Sequence, residues 1–469
     1  MKNANDQMTA LRDALAHILG SDGITVDAGV VSAHAGDWSE APKVEPRMVL
    51  FPKTPAQVAA ALGTISRFGQ RVTVQGGLTG LAGGATPCDG EIALSLSKLN
   101  RIEALDDISG TVTVQAGVPL ETLQSYVAAH DWLFALDLGA RGTCQLGGNA
   151  ATNAGGNRVI RYGTMRDLVL GIEVALADGT LIPMMNQVTK NTTGVDLKQL
   201  FIGSEGMLGV ITRLVLKLVP RPTVANTALC ALSSFDHAAR LLKEMRKHLP
   251  TLSSFELMWN DFMTTAIDTA QLRPPFAQAH PVYVLVETLG ADSQRERETL
   301  ERCLEQAIET ALVTDVVVAE SIDHARRLWA YREAIGEILS RLQPHAAFDV
   351  GIPMSAMDRF VSAVRNTLND VFPQQHHLFF GHIGDGNLHV LSGPYDTSAA
   401  LHRVEQIVYV AVRDAGGCIS AEHGIGVIKK AFLPLSRCPD ELSLMRSLKT
   451  LFDPNGTLNA GRIVDMRPH

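Results

Sequence analysis

The 469-residue sequence lacks the features that mark several large classes of protein. Its six cysteines stand apart with no Cys-x-x-Cys pair, so an iron–sulfur cluster of ordinary ligand spacing is not expected. No stretch approaches the roughly 20 apolar residues that a membrane-spanning helix needs. Positive charge is not in excess, because the net charge is −8, and this argues against nucleic acid or an anionic membrane as the main partner.

The N-terminal stretch also lacks the pattern of a targeting peptide. Asp6 and Asp13 interrupt it, and no apolar segment follows. It resembles neither a secretory signal nor an Arg-rich transit peptide. We therefore expect a cytoplasmic protein with reduced cysteines.

The patterning of apolar residues predicts an α+β protein, and its length predicts two or three domains. Thr54 and Pro55 mark a helix start, whereas the alternation over residues 92–97 is typical of a strand. Pro220 and Pro222 cannot continue a regular element and mark a domain boundary. The expected divisions are a first domain at 1–221, a second α+β domain at 222–421, and a C-terminal segment at 422–469.

Three glycine-rich segments carry the first functional signal. Gly76–Gly80 follows a predicted strand and can form an anion-binding nest, although an ordinary turn explains the same residues. Its spacing does not fit the Rossmann motif G-x-G-x-x-G. The run Gly147–Gly156 has little side chain to pack a core, and suits a backbone that lines a flat ligand such as an isoalloxazine ring. The third segment, Gly203–Thr212, again places glycines beside a strand start.

Taken together, these segments resemble a known family. QGGLTG (75–80), DLGARGTCQLGGNAATNAGGNRVIRYG (137–163) and DLKQLFIGSEGMLGVIT (196–212) are similar to the FAD domain of the D-2-hydroxyglutarate dehydrogenases. The flavin D-lactate dehydrogenases are close relatives, within the vanillyl-alcohol-oxidase type of flavoprotein. The resemblance runs from about residue 45 to the C-terminus. It implies a vanillyl-alcohol-oxidase-type FAD-binding domain, an α+β substrate (cap) domain, and a C-terminal segment packed near the flavin.

The resemblance also implies which residues bind FAD. They come from all three glycine-rich segments and from the C-terminal segment: Gly76, Gly77, Leu78, Thr79, Gly80, Gly147, Gly148, Thr152, Asn153, Gly155, Gly156, Glu205, Gly206, Ile211 and Asn459. Some relatives attach FAD covalently through a histidine at the position of Leu78, so we expect noncovalent FAD. Near relatives usually have Asn there, so one contact of the loop would be lost.

A second constellation lies near the C-terminus. His382 and His389 lie in the segment GHIGDGNLH (381–389), and Glu422-His423 follows in AEHGIG. Two histidines and a carboxylate can hold Zn²⁺ and leave a position open for substrate, but the spacing alone fits buried polar turn residues equally well. The resemblance makes His382, His389 and Glu422 the ligands of a divalent metal, with Zn²⁺ expected first and Mn²⁺ or Fe²⁺ also compatible. It makes His423 the catalytic base.

The chemistry explains why these residue types belong together. A 2-hydroxy acid can chelate a metal that lowers the pKa of its hydroxyl. A histidine can take the hydroxyl proton near neutral pH, and the flavin accepts the hydride at N5. Asp385 and Asn387, between the two histidines, either orient the ligands or stabilise the turn.

This sequence differs from the family at several positions that are expected to contact the substrate. Arg332 takes the place of the arginine that binds the substrate carboxylate. D-2-hydroxyglutarate dehydrogenases generally have Thr, Lys and Asn at the positions of Gly336, Ala347 and Leu391. Because an unpaired buried carboxylate is strongly unfavourable, these replacements predict a smaller or more apolar substrate side chain.

The partners are expected to be a small 2-hydroxy acid and an electron acceptor such as an electron-transfer flavoprotein or a quinone, with no nucleic acid. The resemblance implies a homodimer. Two other hypotheses about the function stay open: a different oxidase or reductase reaction on the same flavin fold, and a flavin- or metal-binding protein without turnover.

Overall fold

The structure, a computed structural model, describes residues 2–466 and consists of two compact units. Unit 1 contains the chain up to Gly155, Thr164–Arg221 and the stretch from Glu422 onward. Unit 2 contains Gly156–Gly163 and Pro222–Ala421. This division differs in part from the sequence-based one. Residues 156–163, expected in the first domain, belong to unit 2, and the C-terminal stretch, expected as a segment packed near the flavin, belongs to unit 1.

Unit 1 is built on two main sheets. The first has four strands, in the spatial order Ile24–Thr25, Val49–Leu50, Ile92–Ser95 and Val72–Gln75, and its last three are parallel. The second has five antiparallel strands, in the order Ile102–Asp106, Thr111–Gln115, Val210–Lys217, Val169–Ala175 and Leu181–Met184. The helices of unit 1 are Lys2–Leu19, Ala28–Ala33, Pro55–Arg67, Leu120–Ala128, Leu146–Ala151, Met165–Leu168, Lys198–Phe201 and Pro439–Phe452.

The helix Pro55–Arg67 shows how local sequence specifies these elements. The Thr54 hydroxyl accepts a hydrogen bond from the N–H of Gln57 at 3.2 Å, and proline occupies the first turn. Val58 and Leu62 are fully buried, as their helical spacing requires. Gly69, just beyond the end, has φ +64°. The predicted helix is confirmed.

Unit 2 is a seven-stranded antiparallel sheet with helices on both faces. The strands follow the order Asp315–Val318, Val224–Leu232, Val282–Gly290, Leu252–Trp259, His376–Gly381, Asn387–Gly393 and Ala346–Gly351. Face A packs on helices Asn260–Thr269, Ile322–Glu333 and Ile335–Arg341. Face B packs on helices Phe235–His248, Ser293–Glu309, Met354–Val371 and Ser398–Asp414. A one-turn helix, Val159–Tyr162, also belongs to this unit.

The proline-rich boundary differs from its prediction in detail. Pro220 is part of a two-residue strand, Val219–Pro220, which pairs with Trp132–Leu133. A proline is tolerated there because such a short edge strand needs no further ladder hydrogen bond from it. The α+β class is confirmed. Among the described residues, no helix is both long and apolar enough to cross a bilayer.

Candidate functional site

The loop Gly76–Gly80 leaves the strand Val72–Gln75 in unit 1, and its glycines have two different roles. A Cβ on Gly77 would lie 2.0 Å from the carbonyl oxygen of Thr143, so this glycine permits close backbone packing. A Cβ on Gly76 would meet nothing nearer than 3.7 Å, and one on Gly80 would lie 3.1 Å from Oδ2 of Asp37. The loop is thus packed at Gly77 and open at Gly76.

Leu78 adopts a backbone conformation that is unusual for its residue type. Its φ is +57°, in the left-handed region that costs an L-residue other than Gly, Asn or Asp about 1–2 kcal/mol. Leu78 and Thr79 are both half-buried. An asparagine would suit such a backbone better than Leu does.

The helix Leu146–Ala151 contains the same pairing of packed and open glycines. A Cβ on Gly147 would lie 2.6 Å from the Cβ of Ala116, whereas one on Gly148 would meet nothing within 4 Å. Oε1 of Gln145 and Oδ1 of Asn149 are buried and have no hydrogen-bond partner among the described residues. Buried polar atoms normally have partners, so open backbone beside two such oxygens fits a polar ligand.

Thr152 and Asn153 use their side chains within unit 1. The Thr152 hydroxyl donates to the carbonyl oxygen of Gly148 at 3.1 Å. Oδ1 of Asn153 accepts from the N–H of Arg166 at 2.9 Å and from the Thr164 hydroxyl at 3.1 Å. Gly155 is the last residue of this stretch of unit 1, and Gly156 is the first of unit 2.

Glu205 fixes another part of unit 1. Its two carboxylate oxygens accept from the N–H groups of Ile425 and Gly426, at 2.7 and 2.8 Å. Burial raises the pKa of the Glu205 carboxyl above its usual value, and these hydrogen bonds with the charge of Lys429 oppose that shift only in part. The carboxylate therefore anchors the loop that carries Glu422 and His423.

The glycines of that loop are required by the same packing. Gly424 has φ +79°, and a Cβ there would lie 2.8 Å from Oε1 of Glu205. Gly426 has φ +52°, and its Cβ would lie 2.0 Å from the carbonyl oxygen of Ala82. Glu422 and His423, which precede them, are half-buried. The motif AEHGIG thus has a conformational reason as well as a chemical one.

Three other residues of unit 1 that were predicted to bind FAD lie on or beside the strands near Glu205. Asn459 accepts from the N–H of Val74 at 2.8 Å and donates to the carbonyl oxygen of Glu205 at 2.6 Å. Gly206 has φ +71°, and a Cβ there would lie 2.9 Å from Nδ2 of Asn459. Ile211 is buried in the strand Val210–Lys217.

In unit 2, face A brings three predicted residues together. The rings of His382 and His389 have centroids 5.3 Å apart at 82° to one another. A terminal nitrogen of Arg332 lies 3.3 Å from Nε2 of His382, and the guanidinium stacks 4.7 Å from the centroid of the Phe380 ring. Two imidazoles and a cation on one face can hold a metal and an anion.

A residue that the sequence analysis did not predict also belongs to this group. Glu256, in the middle of the strand Leu252–Trp259, is fully buried. Its carboxylate contacts Nδ1 of His382 at 2.7 Å and accepts from Nε of Arg332 at 2.8 Å. Burial by itself raises the pKa of Glu256, but the interactions with His382 and Arg332 outweigh burial, and the pKa lies below its usual value.

Asp385 and Asn387 differ in what they do. Oδ1 of Asp385 accepts from the N–H of Asn387 at 3.1 Å, a turn-stabilising contact, and burial raises the pKa of Asp385 to about 6. The side-chain amide of Asn387 is buried and has no hydrogen-bond partner among residues 2–466. It lies two residues before His389 in one strand, and so on the same face.

The three positions expected to set the substrate side chain have different surroundings. Leu391 is buried in the apolar cluster of face A, and the strand register places Ala347 opposite it. Ala347 is exposed on the edge strand. Gly336, in the helix Ile335–Arg341, is exposed, and a Cβ there would meet nothing within 4 Å. None of the three adds a charged group to face A.

The sequence analysis missed Gln145, Asn149 and Glu256. Gln145 and Asn149 lie within the quoted motif CQLGGN, but their buried, unpartnered oxygens could not be seen there. A signal for Glu256 exists in LSSFELMW, where a lone acid interrupts an apolar strand. A buried acid needs hydrogen-bonding or charged partners, and only the tertiary structure shows which residues these are.

Comparisons with known proteins agree with this architecture. Residues 46–184 match the FAD binding domain family, and residues 221–463 match the C-terminal domain of FAD linked oxidases. The solved structure of p-cresol methylhydroxylase superposes with a TM-score of 0.81 at 14% identity, over 99% of this chain and 98% of that one. An alkyldihydroxyacetonephosphate synthase gives 0.75 at 15% identity, over 96% and 85%. The vanillyl-alcohol-oxidase-type fold is thereby confirmed.

Curated relatives share much more sequence. The mitochondrial D-2-hydroxyglutarate dehydrogenase of Bos taurus is 41% identical over 426 residues, 90% of this chain and 78% of that protein. The D-2-hydroxyglutarate dehydrogenase of Xanthomonas citri is 37% identical, over 92% and 91%. A Schizosaccharomyces pombe protein with the provisional name of a mitochondrial D-lactate dehydrogenase is 37% identical, over 94% and 87%. The chain therefore belongs to the family of FAD-dependent D-2-hydroxyglutarate and D-lactate dehydrogenases.

Proposed function

We propose that this protein oxidises a D-2-hydroxy acid to the 2-oxo acid with noncovalently bound FAD and a divalent metal. The observation that carries the proposal is the group on face A of unit 2, where Arg332 lies beside His382 and His389. A cation and two imidazoles are the groups that a metal-chelating hydroxy acid requires. The names of the relatives and the two family matches support the redox part of the proposal.

The FAD-binding residues are those of unit 1. Gly76 and Gly148 leave backbone open, and Gln145 and Asn149 supply buried oxygens that need donors. Among the other residues implied by the family, Thr152, Asn153, Glu205 and Asn459 use their side chains internally, so we assign them the role of shaping the backbone around FAD. Leu78 cannot form the covalent histidine link, which favours noncovalent binding.

The metal is assigned to His382, His389 and Glu422. The donor set of two nitrogens and one carboxylate oxygen suits Zn²⁺, and Mn²⁺ or Fe²⁺ are compatible with it. On His382, the contact of Nδ1 with the Glu256 carboxylate requires the proton on Nδ1 and leaves a lone pair on Nε2, which a bound metal would take in place of the contact with Arg332. That is the tautomer a metal ligand needs.

The chemistry divides among the residues as follows. Bound FAD would accept the hydride, and a bound metal would lower the pKa of the substrate hydroxyl. Arg332 binds the substrate carboxylate: Nε and one terminal nitrogen have partners, and the other terminal nitrogen has no hydrogen bond among the described residues. His423 takes the hydroxyl proton, and the backbone contacts of Glu205 hold its loop in place.

The substrate side chain is assigned to a small or apolar group. No cation stands at Gly336, Ala347 or Leu391, and Leu391 itself is packed in an apolar cluster. A second carboxylate on the substrate would therefore lack its partner at these positions. We expect D-lactate and D-2-hydroxybutyrate to be better substrates than D-malate and D-2-hydroxyglutarate.

Anaerobic bleaching of the flavin near 450 nm tests the reaction. The purified protein is mixed with single D- and L-2-hydroxy acids, before and after treatment with EDTA. We expect bleaching by D-acids alone, loss with EDTA, and recovery with Zn²⁺ or Mn²⁺. A protein that holds FAD but is bleached by no hydroxy acid would favour another flavin reaction or a binding protein without turnover.

Steady-state kinetics test the substrate assignment. Values of kcat/KM for D-lactate, D-2-hydroxybutyrate, D-malate and D-2-hydroxyglutarate are measured with an artificial electron acceptor. A clear preference for D-2-hydroxyglutarate would overturn the apolar pocket without affecting the assigned reaction.

The remaining partners and the location are also proposals. An electron-transfer flavoprotein or a quinone would reoxidise the flavin, and size-exclusion chromatography with light scattering would test the homodimer. A cytoplasmic location remains a prediction, because the bovine relative is named as mitochondrial whereas the Xanthomonas relative carries no compartment in its name. Cell fractionation distinguishes these locations.

A further inference from the structure

The strand Leu252–Trp259 contains one charged residue among its fully buried side chains. This residue, Glu256, lies in the interior of the seven-stranded sheet and points to face A together with Met258. A carboxylate is strongly disfavoured in such surroundings unless it is paired and hydrogen-bonded. An apolar residue would fill the place without this penalty, so the carboxylate needs an explanation.

The contacts of Glu256 point to that explanation. One oxygen lies 2.7 Å from Nδ1 of His382, and the other accepts from Nε of Arg332 at 2.8 Å. His382 is 126 residues away in sequence and Arg332 is 76 residues away, on a helix of face A. One carboxylate thus determines the position of an imidazole and of a guanidinium that come from different elements.

We propose that Glu256 is a positioning residue, which holds His382 in the Nδ1–H tautomer and orients Arg332 beside it. The inference rests on the proposed function, in which His382 is a metal ligand and Arg332 binds the substrate carboxylate. A carboxylate accepts from both partners at once, and a neutral amide cannot. Glu256 therefore couples metal affinity to anion binding, although it contacts neither the metal nor the substrate.

The isosteric change Glu256→Gln separates this role from simple packing. The Gln side chain has one acceptor oxygen and one donor NH₂ group. If the oxygen faces Arg332, the NH₂ faces Nδ1 of His382 and favours the proton on Nε2. That tautomer has no lone pair on Nε2 for a metal. Volume is nearly unchanged, so a purely structural residue would lose stability but not metal affinity in particular.

The test is Zn²⁺ binding to the FAD-containing, metal-stripped protein, measured by competition with a chromophoric chelator. We expect Glu256→Gln to weaken Zn²⁺ binding by about 10–100-fold, the range found when outer partners of metal-binding histidines are removed. Glu256→Asp keeps the charge on a shorter side chain, and we expect an intermediate affinity. It also keeps the test open if the Gln variant does not fold.

A matched control is Asp261→Asn. Asp261 accepts from Arg365 at 2.7 Å in the same unit, and neither residue contacts His382 in the described hydrogen bonds. We expect this variant to lose thermal stability and to keep the wild-type affinity for Zn²⁺. The control thereby shows whether loss of any ion pair in unit 2 weakens metal binding.

The outcomes separate the inference from the function on which it rests. Wild-type affinity for Zn²⁺ in both Glu256 variants would overturn the positioning role and leave the metal site intact. Equal weakening in Asp261→Asn would also overturn it. Absence of Zn²⁺ binding in the wild-type protein would overturn the proposed metal site, and this inference with it.

Discussion

The two units hold their functional segments by different means. In unit 1, the buried carboxylate of Glu205 is bound by two backbone N–H groups, and its pKa is raised. In unit 2, the buried carboxylate of Glu256 is bound by an imidazole and a guanidinium, and its pKa is lowered. Burial acts on both in the same direction, so the partners decide the net shift.

The difference extends beyond the two glutamates. Unit 1 relies on glycines that allow close backbone approach, such as Gly77 and Gly426, and on residues at positive φ. Unit 2 relies on charged and aromatic side chains gathered on one sheet face, such as Arg332 above Phe380. A long, flat dinucleotide suits a binding surface made of backbone, whereas a small anion and a metal ion need converging side chains. Buried acids in one chain can thus serve unlike purposes.

Replacing each glutamate by leucine gives the largest expected contrast. Glu256→Leu leaves the buried guanidinium of Arg332 without a counter-charge and Nδ1–H of His382 without an acceptor, and we expect a loss of about 3–5 kcal/mol in the free energy of unfolding. Glu205→Leu leaves two backbone N–H groups unpaired, with an expected loss of about 1–3 kcal/mol. Urea unfolding followed by circular dichroism measures both. Equal losses, or a larger loss at Glu205, would remove the distinction between the units.

A pair of glycine substitutions sharpens the backbone side of the comparison. Gly77→Ala places a Cβ 2.0 Å from the Thr143 carbonyl oxygen, and we expect a loss of about 1–3 kcal/mol. Gly148→Ala adds a methyl group where nothing lies within 4 Å, inside a helix, and we expect a gain of about 0.5–1 kcal/mol in the FAD-free protein.

Gly148→Ala also tests FAD binding. Because the Gly148 methyl group would fill the space proposed for the cofactor, Gly148→Ala should release FAD more readily while melting at a higher temperature without it. Thermal melting of the FAD-free protein and fluorescence of released FAD report the two effects. A Gly148→Ala variant that keeps FAD as firmly as the wild type would remove this position from the proposed cofactor site.

The pH dependence of stability tests the raised pKa of Glu205. A carboxyl whose folded-state pKa lies above its usual 4.5 contributes its full stability below that pH, and the contribution is lost as pH rises through the folded-state pKa. The stability of the wild type relative to Glu205→Gln should therefore fall as the pH is raised above 4.5. Urea unfolding at a series of pH values measures this difference.

Asp106 in the same unit provides the control of opposite sign. Hydrogen bonds from Ser109 hold the pKa of its carboxyl below its usual value. The stability of the wild type relative to Asp106→Asn should fall as the pH is lowered, not raised. A Glu205 profile with the same sign as the Asp106 profile would contradict the raised pKa.

The smallest expected effect concerns Leu78. Replacing a leucine at φ +57° by asparagine relieves a left-handed strain, and we expect a gain of about 1 kcal/mol. Leu81→Asn, at an exposed position in the same segment that is not among the positive-φ residues, should bring no such gain. Melting temperatures of the two variants decide whether backbone strain at this loop is real.

Local patterns in the sequence predicted much of the fold. The helix start at Thr54, the alternating strand after residue 92 and the glycine-rich segments depend on residues within one or two turns of one another. The prediction assigned residues 156–163 to the first domain, because chain order alone gives no sign that this short stretch packs with the second. It described residues 422–469 as a C-terminal segment packed near the flavin, and the structure groups that stretch with unit 1.

The sequence by itself determined the α+β class, the family, and the residue types available for chemistry, since these depend on composition, short-range spacing and resemblance. Only the tertiary structure decided which buried acid meets which partner. Glu205 reaches Ile425 across 220 residues, and Glu256 reaches His382 across 126. Such pairs are selected by the cost of leaving a buried charge or amide unpaired, which acts on distances in space and leaves no periodic trace along the chain.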